Sequence, residues 1–269
     1  MTGRPLILIT NDDGVRSPGL RAAAAAAAQF GDVLVAAPQS QQTGMSRSLS
    51  PGPDTGVIEA TTVAIQGRAY PAYGIHASPA LCVVHAVLEL TQRPPDLCIS
   101  GVNYGENIGR TISASGTVGA ALEASAFGIP ALAVSRGAPL DMHRASNFDQ
   151  LDWAASQSVI RRFVPLVLER GLPEGVDALN INVPDNADEE TEVRFTRQSR
   201  QAHVYFVKPG QRPFAGPYQL PLARTDVAEE LEADGDIRAH LYDHVISVTP
   251  ITALLNTAAA PAAMESFYL

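Results

Sequence analysis

Residues that commonly bind transition metals or form crosslinks are scarce in this chain. Its 269 residues include only two cysteines, Cys82 and Cys98, which do not form a C-x-x-C pair. With only two cysteines and no such spacing, the sequence supports neither a disulfide framework nor a thiolate zinc site. No H-E-x-x-H motif joins the six histidines, so we interpret them as structural or solvated residues. We interpret both cysteines as small buried apolar residues.

Long apolar runs are also missing. No stretch approaches the roughly 20 consecutive apolar residues that a membrane-spanning helix needs. The alanine run at residues 22–28 lies too far inside the chain for a signal peptide and lacks the flanks of one. We therefore predict no membrane partner and a cytoplasmic location.

Basic residues are outnumbered in the sequence. The chain has 19 Lys and Arg residues against 28 Asp and Glu residues, a formal net charge of −9. This charge repels polyanions at long range and excludes a nucleic-acid polymer as a partner. It does not exclude a small phosphate ester, because a bound cation reverses the local field whatever the global charge.

A dinucleotide-binding fingerprint is absent as well. Gly101, Gly105 and Gly109 recur every four residues and do not form the G-x-G-x-x-G motif. The sequence therefore does not support a nicotinamide cofactor site.

The stretch PLILITNDDGVRSPGL, residues 5–20, carries the strongest positive signal. Leu6–Ile9 is a short run that is apolar on both faces, as expected of a buried parallel strand. The carboxyl ends of such strands are where α/β proteins bind ligands. Asp12 and Asp13 follow this strand, where two adjacent carboxylates require a compensating cation or hydrogen bonds. A simple strand-to-helix turn is the alternative, since Asn, Asp and Gly favour turns.

Alternation of strand and helix patterns runs through the first two thirds of the chain and predicts an α/β, Rossmann-like fold, with a mostly parallel sheet and helices on both faces. We predict a core at 1–184 and a hairpin-rich appendage at 185–269. Predicted strands are Leu6–Ile9, Val33–Ala37, Leu97–Ile99, Ala131–Ser135 and Ala178–Val183, with hairpin strands Val57–Ile65 and Ala69–Tyr73 and appendage strands Val193–Thr196, His203–Val207 and Val245–Thr249.

Proline and glycine set the predicted helix ends. Predicted helices run from Pro18 to a stop at Gly31, from Pro79 to Leu90 and from Thr117 to Phe127. A further helix is predicted to begin at Ser146 or Asn147, to contain Trp153, to kink or end at Pro165, and to exit at Gly171.

Three polar loops are expected at one end of the predicted sheet: Asn11–Gly14, Thr43–Ser46 and Ser100–Asn103. Two of these loops contain the motifs NDDG and SGVN, and the motifs SGTVGAALEA, FTRQSR and ISVTP follow further along the chain. Together these five motifs resemble those of the SurE survival-protein family of metal-dependent nucleotidases. The resemblance covers nearly the whole chain, and five motifs in order are a specific signal.

The resemblance implies one divalent metal cation, Mg or Mn, held by Asp12, Asp13, a hydroxyl of the second loop and Asn103. Such hard oxygen ligands suit these two metals. The family commonly has serine in the second loop, whereas Thr43 stands there in this chain, with Ser40 or Ser46 as the alternative ligand.

Phosphate binding is predicted at the helix that begins with Ser115, Gly116 and Thr117, because free N–H groups and the helix dipole favour anions there. From the residues alone, a plain Ser/Thr N-cap is the alternative. Further phosphate-binding candidates are Asn11, Gly14 and Asn107.

The activity that the resemblance implies is hydrolysis of nucleoside 5′- and 3′-monophosphates by a phosphomonoesterase, with Asp12, Asp13 and Asn103 as catalytic residues. Adjacent aspartates do not provide the D-x-D pair of haloacid-dehalogenase phosphatases. Two other functions stay open. One is a non-catalytic nucleotide-sensing or structural oligomer, suggested by Thr43 and by Leu81 and Ala114, where this chain departs from the residues usual in the family. The other is a short-chain exopolyphosphatase. The resemblance also implies a homodimer or homotetramer built through the appendage.

Overall fold

The computed structural model describes residues 3–65, 67–139 and 151–255, which contain eleven strands and four α-helices. The strands are β1 (Leu6–Thr10), β2 (Asp32–Pro38), β3 (Ile58–Ile65), β4 (Arg68–Ile75), β5 (Leu97–Tyr104), β6 (Ala131–Arg136), β7 (Ala178–Val183), β8 (Val193–Phe195), β9 (Val204–Phe206), β10 (Leu222–Arg224) and β11 (Ile246–Ile251). The helices are α1 (Pro18–Ala27), α2 (Pro79–His85), α3 (Gly116–Ala126) and α4 (Ala154–Arg170).

Nine of the described strands form one sheet in the order β3-β4-β2-β1-β5-β6-β7-β11-β8. The pairs from β4 through β7 are all parallel, while β3 and β11 run antiparallel to β4 and β7. The chain moves outward from β1 on one side and from β5 on the other, so the strand order reverses between these two neighbours. Ligand crevices of α/β proteins lie at this kind of switch point, beyond the carboxyl ends of the strands.

Helices cover both faces of the sheet, as predicted. On one face, Ile7 and Ile9 of β1 pack with α1 and α4. On the other face, Leu8 of β1 packs with α2 and α3, and both cysteines are fully buried in this second cluster. Because β1 is covered on both sides, Ile7, Leu8 and Ile9 are removed from water, about 1.5–3 kcal/mol of stabilisation for each one.

The chain beyond residue 184 contributes strands to the main sheet and a separate hairpin. Strand β11 pairs with β7 and β8 pairs with β11, so the large sheet continues past the predicted boundary. Strands β9 and β10 form the two-stranded antiparallel hairpin. The predicted hairpin of β3 and β4 exists too, and β4 joins it in parallel to β2 of the main sheet.

Several predicted element bounds were wrong. The segment Ser100–Asn103, expected as a loop, belongs to β5, where the pairing with β6 shifts register between Gly101 and Asn103. Gly101 has φ +137°, and a Cβ there would overlap the Val134 carbonyl oxygen, so glycine permits this irregular strand. Helix α1 ends at Ala27, before Gly31.

The last helix also differs from its prediction. Helix α4 begins after Trp153, and the predicted starts at Ser146 and Asn147 lie outside the described residues. Pro165 does not end the helix, because buried side chains on both sides of it, Phe163 and Val167, anchor the helix to the sheet. The predicted exit at Gly171 is confirmed, with φ +69°.

The described helices differ in length and apolar character from those that cross membranes. Within residues 3–65, 67–139 and 151–255, every helix is too short or too polar to cross a bilayer.

A glycine in α3 sets how closely the polar loop 39–53 approaches that helix. A Cβ at Gly119 would overlap the Ser46 carbonyl oxygen. Glycine to alanine in a helix normally stabilises by about 1 kcal/mol. For Gly119→Ala we expect the opposite, a loss of about 1–3 kcal/mol in the free energy of unfolding measured by urea titration, because the loop must shift.

The matched control is Ser125→Ala on the same helix, whose hydroxyl donates only to the Leu122 carbonyl oxygen within that helix. It should leave stability nearly unchanged. A Gly119→Ala protein that is as stable as wild type would contradict close packing of the loop against α3.

Candidate functional site

Two adjacent carboxylates lie directly after β1. Asp12 and Asp13 are only 3% and 8% exposed. Thr117 Oγ1 donates to Asp12 Oδ1 over 2.8 Å. Gln41 Nε2 and the Tyr104 backbone N–H donate to the two oxygens of Asp13, each over 3.3 Å. Within the described part of the chain, no Lys, Arg or His pairs with either carboxylate.

Burial raises the free energy needed to ionise these two carboxyl groups. It raises the pKa of Asp12 to about 6, although the hydrogen bond from Thr117 opposes the shift. Burial, and then the charge of Asp12, raise the pKa of Asp13 well above its usual value. Keeping both groups ionised near neutral pH therefore costs free energy that a bound cation would offset.

Asn11 and Gly14 hold the turn that carries the carboxylates. Asn11 Nδ2 donates to the Gly14 carbonyl oxygen, and the Gly14 N–H donates back to Asn11 Oδ1, over 3.2 and 3.1 Å. Asn11 is fully buried, and Gly14 has φ +101°. Both residues thus shape the turn, which is the local alternative that the sequence left open for this stretch.

The second polar loop reaches the site from the neighbouring strand β2. The Gln42 N–H donates to the Asp12 carbonyl oxygen over 2.7 Å, which fixes the loop beside the carboxylates. Thr43 follows and lines the same cavity as Asp12. The two alternative hydroxyls are placed differently: Ser46 Oγ donates to the Ser113 carbonyl oxygen over 2.7 Å, and Ser40 lines another cavity.

Two asparagines extend from β5 and the loop behind it. Asn103 Nδ2 donates to the Gly105 carbonyl oxygen over 2.7 Å, so its side-chain oxygen is the atom left for a cation. Asn107 Nδ2 donates to Ser135 Oγ over 2.8 Å, and the Asn107 N–H donates to Asn182 Oδ1 over 2.7 Å. The loop is therefore tied to β6 and β7.

The N-terminus of α3 points its first residues at Asp12. Ser115 Oγ accepts from the Val118 N–H over 3.1 Å, the N-cap geometry that the sequence offered as the alternative. Its own O–H stays able to donate to an anion. A Cβ at Gly116 would lie 2.9 Å from Asp12 Cβ, so glycine allows the helix to start against the carboxylate.

One cavity of about 230 Å³ brings together five of the ten predicted site residues. Its lining includes Asp12, Thr43, Asn103, Asn107 and Ser115. Of the family departures, Ala114 lines it as well. Among the described residues, its lining does not include Asn11, Asp13, Gly14, Leu81, Gly116 or Thr117. Gly116 and Thr117 nevertheless contact the Asp12 side chain.

The rest of the cavity wall was missed by sequence reasoning. Glu106 and His203 line it, and so do three apolar side chains of the hairpin, Tyr205, Phe206 and Leu222. Glu106 could have been identified as a cavity residue from the sequence, because it is an acidic residue between the two candidates Asn103 and Asn107. No local pattern marks the hairpin residues, because 97 positions separate His203 from Glu106.

The donor set at the carboxylates fits a hard divalent cation. Two carboxylates, an amide oxygen and a hydroxyl are oxygen ligands of the kind that Mg²⁺ and Mn²⁺ accept. His240 and His244 stand four residues apart, but the described residues contain no cluster of three His, Cys, Asp or Glu side chains that could hold a metal. A metal bound here would therefore need amide and hydroxyl ligands beside the aspartates.

Comparisons of sequence and structure show which known proteins this chain is similar to. The family model "Survival protein SurE" matches residues 7–204. The 5′-nucleotidase SurE of Thermococcus gammatolerans is 39% identical over 246 residues, covering 91% of this chain and 89% of the relative. That of Methanosarcina mazei is 37% identical over 254 residues, 92% of each chain.

A solved structure extends the likeness to three dimensions. The crystal structure of the SurE protein from Aquifex aeolicus superposes with a TM-score of 0.74 at 28% identity, covering 98% of this chain and all of that one. The family match spans well over half of the chain, and the predicted resemblance is confirmed. This chain belongs to the SurE survival-protein family.

Proposed function

We propose that this chain is a divalent-metal-dependent phosphomonoesterase that hydrolyses nucleoside 5′- and 3′-monophosphates. The observation that carries the proposal is the shared cavity of Asp12, Thr43, Asn103 and Ser115 at the switch point of the sheet. The name 5′-nucleotidase of the relatives supports the 5′-monophosphate as substrate.

The metal would be Mg²⁺ or Mn²⁺, held by Asp12, Asp13, Thr43 and Asn103. Such an ion neutralises charge on phosphoryl oxygens and makes water more acidic. The buried carboxylates favour its binding, because neutralising them removes their mutual repulsion. Asn103 is preset for this role by its hydrogen bond to Gly105.

The N-terminus of α3 would hold the phosphate. The first N–H groups of a helix have no partner within the helix, and the helix dipole favours an anion beside them. Ser115 adds a hydroxyl to the cavity wall. Substrate oxygens bound here lie next to Asp12, because Gly116 packs against that side chain. Positioning and electrostatics then supply most of the rate enhancement.

Replacing Asp12 tests the proposed activity. Asp12→Asn should lower AMP hydrolysis with Mg²⁺ or Mn²⁺ by at least about a hundredfold, because a ligand charge is lost. Phosphate release is measured beside calorimetric binding of AMP. Turnover near that of wild type would refute the site, and AMP binding to wild type without phosphate release would refute hydrolysis. Asp32→Asn, in a well-exposed ion pair with Arg4, is the control.

The stability of the same variant shows whether it is folded. Burial raises the folded-state pKa of Asp12 from 3.8 to about 6, so ionisation of Asp12 destabilises the metal-free protein progressively between about pH 4 and about pH 6, and the loss is complete at pH 7. Asp12→Asn removes that charge and should unfold at an equal or higher temperature at pH 7. It should also lose the added stability that Mn²⁺ gives to wild type.

The second-loop ligand is tested at Thr43. Thr43→Ala should weaken Mn²⁺ binding by about tenfold in calorimetry, whereas Thr43→Ser keeps the hydroxyl and should bind like wild type. Ser40→Ala is the control, because Ser40 lines a different cavity. Equal affinity of the alanine variant at position 43 would exclude Thr43 as a ligand.

We also propose a homodimer or homotetramer that uses apolar side chains after residue 184. Phe195, Phe214 and Tyr218 are 67%, 88% and 46% exposed in the single chain. Phe214 and Tyr218 both lie against the Arg212 guanidinium and so form one exposed aromatic cluster. Contiguous exposed apolar surface of this kind is typical of interaction sites. Phe214→Asp should reduce the oligomer size in light scattering, whereas Leu88→Asp, 65% exposed on another part of the chain, should not. An unchanged size for Phe214→Asp would count against this surface.

A further inference from the structure

The hairpin of β9 and β10 forms part of the cavity wall but has little structure of its own. Its strands pair at only three positions, from Leu222 opposite Phe206 to Arg224 opposite Val204. Most of its side chains are exposed or half-buried. A short two-stranded ribbon is marginally stable at best by itself, so contacts with the rest of the protein must fix its position.

One of those contacts is a polar cluster that we call the Glu106 latch, formed by the buried side chains of Glu106 and His203 and the partly exposed side chain of Arg224. His203 Nε2 lies 2.9 Å from Glu106 Oε1, and Arg224 Nη2 donates to the same oxygen over 2.8 Å. His203 immediately precedes β9, and Arg224 ends β10. Both strands of the hairpin are thus joined, at the same end, to the loop that follows β5.

The carboxylate and the imidazole of the latch are removed from water, so each needs a partner within the protein. The Glu106 and His203 side chains are 1% and 2% exposed. Arg224 Nη2 also donates to the Ala138 carbonyl oxygen over 2.9 Å, which ties the hairpin to the segment after β6. Burial alone would raise the pKa of Glu106, but the hydrogen bond from His203 and the charge of Arg224 help hold it well below its usual value. The latch therefore contains an ionised carboxylate whose partners are needed.

The latched hairpin gives the cavity two chemically different walls. Asp12, Thr43, Asn103 and Ser115 supply one that is polar. The hairpin supplies the apolar side chains Val204, Tyr205, Phe206 and Leu222. Tyr205 and Phe206 remain 49% and 66% exposed, so they retain apolar surface for a ligand. Flat aromatic rings favour contact with another ring system.

We propose that the Glu106 latch holds the hairpin beside the carboxylate site so that Tyr205 and Phe206 contact the nucleobase of the substrate. This inference rests on the proposed nucleotidase function. Glu106 is then a positioning residue that acts through the hairpin, and the hairpin selects phosphomonoesters with a planar base over small aliphatic ones.

The test separates base recognition from chemistry. Glu106→Gln keeps the side-chain shape but removes the charge that holds His203 and Arg224. We expect the KM for AMP to rise by about tenfold, in line with the loss of one aromatic–base contact, with kcat nearly unchanged. The kcat/KM for glycerol phosphate should change by less than about twofold, because this substrate has no base.

Two surface variants guard against misfolding of the buried one. Tyr205→Ala and Phe206→Ala, at exposed positions, should reproduce the selective rise in KM for AMP. Asp243→Asn is the control, because it removes an acidic partner from Arg194 without touching the cavity. AMP affinity is measured by calorimetry with Mn²⁺ beside turnover, so that binding is tested even where turnover is absent.

The outcomes distinguish the two proposals. A wild-type chain that releases no phosphate from either substrate overturns the proposed function, and the latch is then judged by AMP affinity alone. If wild type hydrolyses AMP but the Glu106 and aromatic variants keep its KM, the latch inference is wrong. Equal losses of kcat on AMP and glycerol phosphate would also overturn it, because they would indicate a general structural role.

Discussion

Two buried carboxyl groups side by side are the constraint on which the surrounding structure depends. Asp12 and Asp13 lie at the end of a central strand that is covered on both faces, so water cannot solvate them freely. The protein surrounds them with dipoles: the hydroxyl of Thr117, the amide of Gln41 and the backbone N–H of Tyr104. These donors come from three different segments, and each must be brought to the carboxylates by the fold.

The close packing around the site follows from that requirement. Glycine at position 116 lets α3 start against Asp12, and glycine at position 119 lets loop 39–53 lie against the same helix. The irregularity in β5 after Gly101 falls where the strand delivers Asn103 to the cavity. These close approaches and this irregular strand thus lie beside the cavity residues, as expected of functional sites.

The sequence predicted the parts of the fold that rest on local patterns. Apolar runs predicted the core strands, and alternation with helices predicted a parallel sheet covered on both faces. The polar residues at the ends of β1 and β5 could be expected to meet, because neighbouring parallel strands end at one edge of a sheet. Local turn chemistry was harder to separate from function, since Asn11 satisfies its amide within its own turn and Ser115 serves as an N-cap.

What sequence reasoning missed depends on contacts between distant segments. Strand β11 returns to pair with β7, and Arg224 reaches Glu106 across 118 positions of the chain. Short strands with three paired residues carry almost no periodic signal, so neither their partners nor the direction of His203 could be read from the pattern. Buried ionic pairs of this kind are specified by tertiary structure alone.

The two walls of the cavity are held in place by very different numbers of contacts, and this difference bears on how substrate preference can change within the family. Asn107 is bound by side chains of β6 and β7, so the polar side is as rigid as the central sheet. The hairpin side rests on a ribbon of three residue pairs. If the proposed function holds, substitutions in the ribbon would alter which alcohol is accepted, while Asp12, Thr43, Asn103 and Ser115 keep their geometry. Selection could then explore new substrates there without changing the residues proposed to bind the metal and the phosphate.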